Sequence, residues 1–196
     1  MKLFELLNEN EKKLGRLLKF KKEQILFNED EECSYVGIVI KGEVKIASFT
    51  LSGQEVIYNI IKENQMFGNN LLFTKNPYYK GHVLANTDGE LILFSKDNLL
   101  KILQSNPLFL ENYLSYQAEF SKNLNATIKL LSLSSAEERL LYYLKRNNPL
   151  KIKSISSLAA SLYLSREATS RLVSKMVKQG KINRNGNVLH LPNDIK

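Results

Sequence analysis

Residues 165–178 read SREATSRLVSKMVK. At 3.6 residues per turn, Ala168, Leu172, Val173 and Met176 fall on one arc of a helix, and Arg166, Glu167, Ser170, Arg171, Ser174 and Lys178 on the opposite one. One face packs and the other is built to hydrogen-bond. Ser165 is placed to cap the helix by accepting from a backbone N–H two or three residues on, which puts Arg166, Glu167, Ser170 and Arg171 in the first two turns. Those turns meet base edges when a helix enters a DNA major groove N-terminus first. Alone, the segment reads better as an ordinary amphipathic surface helix, so the flanking sequence decides.

Upstream, residues 154–162 form a small-residue helix with Leu158, Ala159 and Leu162 inward, closed by a tight turn at Tyr163-Leu164. Helix, three-residue turn, helix is the spacing of a helix-turn-helix unit, in which Ala159 lets the helices approach closely. Tyr163 occupies a position that glycine's conformational freedom would suit better. Downstream, KINRNGNVLHL (residues 181–191) holds Asn185-Gly186 between two short apolar runs, a strong hairpin signal. The combination predicts a winged helix. Arg166, Glu167, Ser170 and Arg171 are then the base-reading candidates. Ser165, Ser174, Lys178, Lys181, Arg184 and Asn185 are the phosphate candidates, with Asn187 beside them on the wing.

Before this module, Ser134 to Glu137 carries the capping-box pattern S-x-x-E and opens a helix with Leu140, Leu141 and Leu144 on its buried side. Residues 146–153, RNNPLKIK, read as a connector. A longer helix opens at Asn106-Pro107. In it Leu110, Leu114, Gln117, Ser121, Leu124, Ile128 and Leu131 recur at alternating spacings of four and three, a heptad seam suited to parallel dimerisation. Phe109, Tyr113 and Phe120 flank the seam and suggest a second face, turned to the preceding domain. That domain alternates short apolar runs (QILF, YVGIVI, EVKIASF, EVIYNII, HVLA and ELILF) with turn-like breaks, a β unit of hairpins without helical crossovers. Residues 2–20 read as an amphipathic helix covering it, and residues 29–32 as a solvated acidic loop. The expected architecture is α+β: a β-roll sensor over residues 1–105, a dimerisation helix over 106–132 and a winged helix-turn-helix over 133–196.

Composition narrows the function classes. The 196 residues are 43% hydrophobic with a net charge of +8, enough for real cores. Residues 1–131 hold 16 basic and 16 acidic side chains, whereas residues 132–196 hold 12 basic and 4 acidic. The whole excess lies in the last third, as a polyanion-binding module requires. Cys33 is the single cysteine, and His82 and His190 are the only histidines. No disulfide framework, thiolate zinc site or cysteine-ligated iron–sulfur cluster fits one chain, and no metal or other cofactor is expected. No apolar run nears the roughly 20 residues of a membrane span, and the opening residues resemble no signal peptide, so a cytoplasmic protein is expected. No paired carboxylates, nucleophile with a histidine partner or P-loop points to an enzyme.

Together these segments resemble the Crp/Fnr family of bacterial transcription regulators. ILFNEDEECSYVGIVIKGEVKI resembles the first β-roll hairpins, with Gly42 as turn glycine; MFGNNLLF resembles the Phe-Gly-Glu motif beside the ligand pocket; ERLLYYL resembles the helix after the dimerisation helix; and SREATSR resembles the recognition helix. The resemblance implies a homodimer on double-stranded DNA, with RNA polymerase as a further partner if the protein activates. It implies that Arg166, Glu167 and Arg171 read bases and Ser165 touches a phosphate. Arg-Glu is similar to the cyclic-AMP branch, and Glu followed three residues later by Ser-Arg to the oxygen-sensing branch; both patterns are present, leaving the half-site open. By the same alignment the effector pocket comprises Gly68, Asn69, Tyr79, Lys80 and His82. Asn69 replaces the family's ribose-binding glutamate and Tyr79-Lys80 its phosphate-binding Arg-Ser pair. Loss of a bidentate arginine argues against cyclic AMP as effector. The alternative to a DNA-binding regulator is a β-roll ligand-binding or interaction module whose winged helix docks a partner.

Overall fold

The computed structural model describes residues 3–192. Strands β1 (Arg16–Phe20), β2 (Ile25–Phe27), β3 (Tyr35–Lys41), β4 (Val44–Phe49), β5 (Glu55–Ile61), β6 (Met66–Phe67), β7 (His82–Ala85) and β8 (Gly89–Ser95) follow a 3-10 turn at Leu3–Leu6 and the one-turn helix α1 (Glu9–Lys12). They form two four-stranded antiparallel sheets, ordered β1-β8-β3-β6 and β2-β7-β4-β5. Helices α2 (Lys96–Ser105), α3 (Pro107–Ser132), α4 (Ala136–Arg146), α5 (Ile155–Leu162) and α6 (Arg166–Lys178) come next. The short strands β9 (Leu150–Lys151), β10 (Asn183–Asn185) and β11 (Val188–His190) make a third sheet, ordered β10-β11-β9.

Two compact units, Met1–Glu119 and Phe120–Lys196, divide the chain inside α3. In the first, Val39, Val44, Val83, Ala85 and Leu91 are all fully buried between the strands. Phe109 and Tyr113 of α3 join a second apolar cluster with Val36, Ile38 and Phe94. That is the domain-facing side their position beside the seam suggests. In the second unit, Leu140 and Leu144 of α4, Leu158 and Leu162 of α5, and Leu172, Val173 and Met176 of α6 share one cluster. Each such fully buried side chain stabilises by roughly 1.5–3 kcal/mol relative to exposure.

Several expectations are corrected. Residues 16–20 are not the end of an N-terminal helix. They form β1 and pair with β8 from Arg16↔Leu93 to Phe20↔Gly89, because a vacant sheet edge offers that segment a hydrogen-bond ladder that no local pattern announces. The connector contains β9, which pairs with β11. The capping box starts one residue later: Ser135 accepts from Glu138 N–H at 3.1 Å, and the Glu138 carboxylate accepts from Ser135 N–H at 3.1 Å. Asn185 pairs with Val188, so the turn residues are Gly186 and Asn187. Gly186 has φ 58°, matching a two-residue turn whose first central position favours glycine.

Candidate functional site

Helix α6 is set by its caps and its buried row. Ser165 Oγ accepts from Ala168 N–H at 3.1 Å, and Thr169 Oγ1 donates to Ser165 O at 2.9 Å. Thr169, Leu172, Val173 and Met176 are buried at spacings of three, one and three, one face of a helix. The inner row thus starts at Thr169, with Ala168 only partly buried. Thr169 escapes a reading based on apolar residues alone because its hydroxyl is satisfied within the helix.

The opposite face is free. Arg166, Glu167, Ser170, Arg171, Ser174 and Lys178 are all exposed. One shallow groove along it is lined by Ser170, Arg171, Ser174, Lys175, Lys178 and Gln179; another at its N-terminal end is lined by Ile155, Arg166, Glu167, Ser170 and Arg171. Guanidinium groups present paired N–H donors of the kind that guanine O6 and N7 accept, and Glu167 presents an acceptor for a cytosine amino group. Ser165 uses an oxygen lone pair on the cap, leaving its hydroxyl hydrogen for an outside acceptor.

Tyr163, between α5 and α6, has φ 56° and ψ 45°, a left-handed conformation uncommon for a residue with a side chain. Its N–H closes α5 by donating to Ala160 O at 3.2 Å, and the next N–H, of Leu164, donates to Ala159 O at 3.0 Å. The turn therefore keeps the glycine-type geometry without glycine.

The phosphate candidates differ in their engagement. Lys178, Ser174 and Asn185 are exposed. Arg184 Nε donates to Gly186 O at 2.9 Å, folding its side chain over the β10–β11 turn. Lys181 Nζ lies 2.7 Å from Glu137 Oε2, and Lys175 Nζ 2.7 Å from Glu137 Oε1. Hydrogen bonds from Lys175 and Lys181 hold the Glu137 carboxyl at about 2, far below the usual carboxylate range. No local pattern marks Glu137 or Lys175 as functional, because the partners lie 38 and 44 residues apart.

The five effector candidates lie on separate parts of the first unit. Gly68 has φ 74°, and a Cβ there would press on Tyr35 O at 2.5 Å. Asn69 is buried, its amide donating to the Gln117 side chain while Gln117 Nε2 donates to Asn69 O at 3.1 Å. Gln117, a seam position, thus directs its amide into its own domain. Tyr79 stacks on Phe27 at 5.2 Å, and its buried hydroxyl sits beside the Cys33 thiol with no well-formed hydrogen bond. Burial pushes both groups upward, so thiol and phenol stay protonated. Lys80 is exposed. His82 Nδ1 accepts from Glu29 N–H at 3.2 Å, and Glu29 also accepts from Ser48 Oγ at 2.7 Å. An engaged amide at 69 and an exposed ammonium at 80 do not present the carboxylate and fixed cation that a ribose hydroxyl and a cyclic phosphate take. Among the described residues, no group of three or more His, Cys, Asp or Glu is arranged to hold a metal ion, and no helix is long and apolar enough to cross a membrane.

Residues 17–106 match the family model of the cyclic nucleotide-binding domain. The anaerobic regulatory protein of Bacillus subtilis is 22% identical over 176 residues, covering 84% of this chain and 74% of its own length. Residues 17–106 thus carry a cyclic nucleotide-binding domain, and most of the chain is similar to that regulatory protein. Among solved structures, a CooA variant from Carboxydothermus hydrogenoformans matches with a TM-score of 0.69 at 21% identity, over 97% of this chain and 91% of that one. The Thermus thermophilus catabolite activator protein matches with a TM-score of 0.58 at 21% identity, over 98% and 94%. Both likenesses concern the fold alone: two antiparallel sheets followed by helices.

Proposed function

We propose that this chain is a homodimeric, sequence-specific DNA-binding transcription regulator, with residues 165–178 as the recognition helix of a winged helix-turn-helix and the β-roll as its effector domain. The observation that carries this reading is the two-sided α6: a serine-capped N-terminus, four packed side chains on one side and an exposed row of Arg166, Glu167, Ser170 and Arg171 on the other. Neighbouring Ser165, Ser174, Lys178, Lys181, Arg184 and Asn185 supply phosphate contacts that fix register without reading sequence. The seam of α3 joins two copies, so that two recognition helices enter successive major grooves about 34 Å apart. The effector is not cyclic AMP, because Asn69 supplies no carboxylate and Lys80 offers an exposed ammonium in place of a fixed bidentate guanidinium. RNA polymerase is the further partner of an activating dimer, and no catalytic step is involved. The test is selection of bound sequences from random duplex DNA, followed by titration at several salt concentrations. A palindromic site bound at least 1,000-fold more tightly than random duplex, on the order expected of specific regulators, supports the reading. Equal affinity for both refutes it.

A further inference from the structure

The bridge between Glu137 and two lysines is not accounted for by base reading. Glu137 stands in the first turn of α4, Lys175 on α6 and Lys181 just before β10. One carboxylate therefore ties the recognition helix and the approach to the wing to a third element, each oxygen holding one ammonium at 2.7 Å. Lys175 also forms part of the wall of the groove that contains Arg171, Ser174 and Lys178. All three side chains of the bridge reach solvent, so an outside anion has access to both ammonium groups.

We propose that Glu137 is an internal counter-anion that competes with DNA phosphates for Lys175 and Lys181, and thereby limits how tightly the protein holds DNA of any sequence. The proposal rests on the DNA-binding reading above. Phosphate and carboxylate are the two anions that an ammonium takes by the same charge-assisted hydrogen bond, so contact with one is made at the expense of the other. The ionisation of Glu137 persists throughout the physiological pH range, so the competition is permanent rather than conditional. The three groups together carry one net positive charge, and replacing Glu137 by glutamine raises that to two. Each further phosphate neutralised steepens the dependence of log K on log salt by about 0.9 for duplex DNA. The bases are read by Arg166, Glu167, Ser170 and Arg171, none of which the bridge involves, so the preference for a specific site is untouched.

The experiment is a fluorescence titration of the full-length protein on random-sequence and selected duplexes across a salt series, for wild type, Glu137→Gln, Lys175→Ala with Lys181→Ala, and all three changes together. Thermal unfolding confirms that each variant is folded. Glu137→Gln is expected to bind both duplexes several-fold more tightly at low salt, with a salt slope steeper by about 0.9 per chain and an unchanged ratio between duplexes. In the lysine-free background the same change is expected to leave the slope alone. An unchanged or shallower slope for Glu137→Gln overturns the proposal, as does a gain that survives without the lysines. Wild-type protein that binds duplex while Glu137→Gln fails these criteria rejects the counter-anion role alone; wild-type protein that binds no duplex rejects the DNA-binding reading and this role with it.

Discussion

Arg171 sits in the second turn of α6, exposed, with its neighbours in the buried row held by Leu172 and Val173. A bidentate guanidinium–guanine contact discriminates by about 1–3 kcal/mol, so Arg171→Ala is expected to weaken the specific site roughly 5- to 150-fold while leaving random duplex nearly unaffected. Competition binding against single-base variants of the site checks it: the loss should collapse onto one base pair per half-site. Glu137 yields a pH prediction of its own. Its folded value of about 2 lies below the ordinary 4.5, so the proton is bound more tightly in the unfolded chain. The bridge's contribution to stability is then full above the ordinary value and fades as pH falls towards about 2. Urea midpoints of wild type and Glu137→Gln should differ by a constant amount near neutrality and converge on acidification through that window.

The turn between α5 and α6 imposes a left-handed conformation on Tyr163, which is 56% exposed. The strain is not repaid by burial, so Tyr163→Gly is expected to stabilise the second unit by up to about 1 kcal/mol, read as a higher urea midpoint with unchanged slope. Along α3, Leu114, Leu124, Ile128 and Leu131 are 57, 50, 57 and 44% exposed, whereas Gln117 bonds Asn69. The apolar part of the seam is therefore available to a second copy, and Ile128→Glu should cost little within one chain. Sedimentation equilibrium is expected to give twice the 22.5 kDa chain mass for wild type and a single chain mass for Ile128→Glu. Elements with their own periodicity and caps, namely α2, α4, α5 and α6, were legible in the sequence, as were the strands from β3 to β5 and β7 to β8. Strands β1, β6 and β9 were not. They are short or fall in leucine- and lysine-rich segments, and their hydrogen bonds are made with strands far away in sequence.

At the scale of the molecule, all of the net +8 lies beyond residue 131, which suits the C-terminal third to the polyanion proposed for it. In the proposed homodimer, two recognition helices held about one helical turn apart would require both half-sites to face the same side of the duplex. Inserting 5 base pairs between half-sites turns one of them through half a helical turn, and gel-shift affinity should fall towards that for random DNA. Restoring a full turn of about 10 base pairs returns the phase but doubles the reach, so affinity recovers only if α3 flexes.

The amino-acid sequence by itself determined most of the helices and the longer strands, which face of α6 packs, where the positive charge lies and which polar side chains α6 offers. These follow from periodicity, caps and composition, all of which act over a few residues. Only the tertiary structure decided what those side chains touch. Ser134 and Ser135 both fit a capping box, and docking of Glu137 against Lys175 and Lys181 accompanies the second choice. Asn69 and Gln117, 48 positions apart, close on each other in the first unit, and residues 16–20 become a strand because β8 offers them an edge. Such contacts depend on where folding brings distant segments, and no local pattern records them.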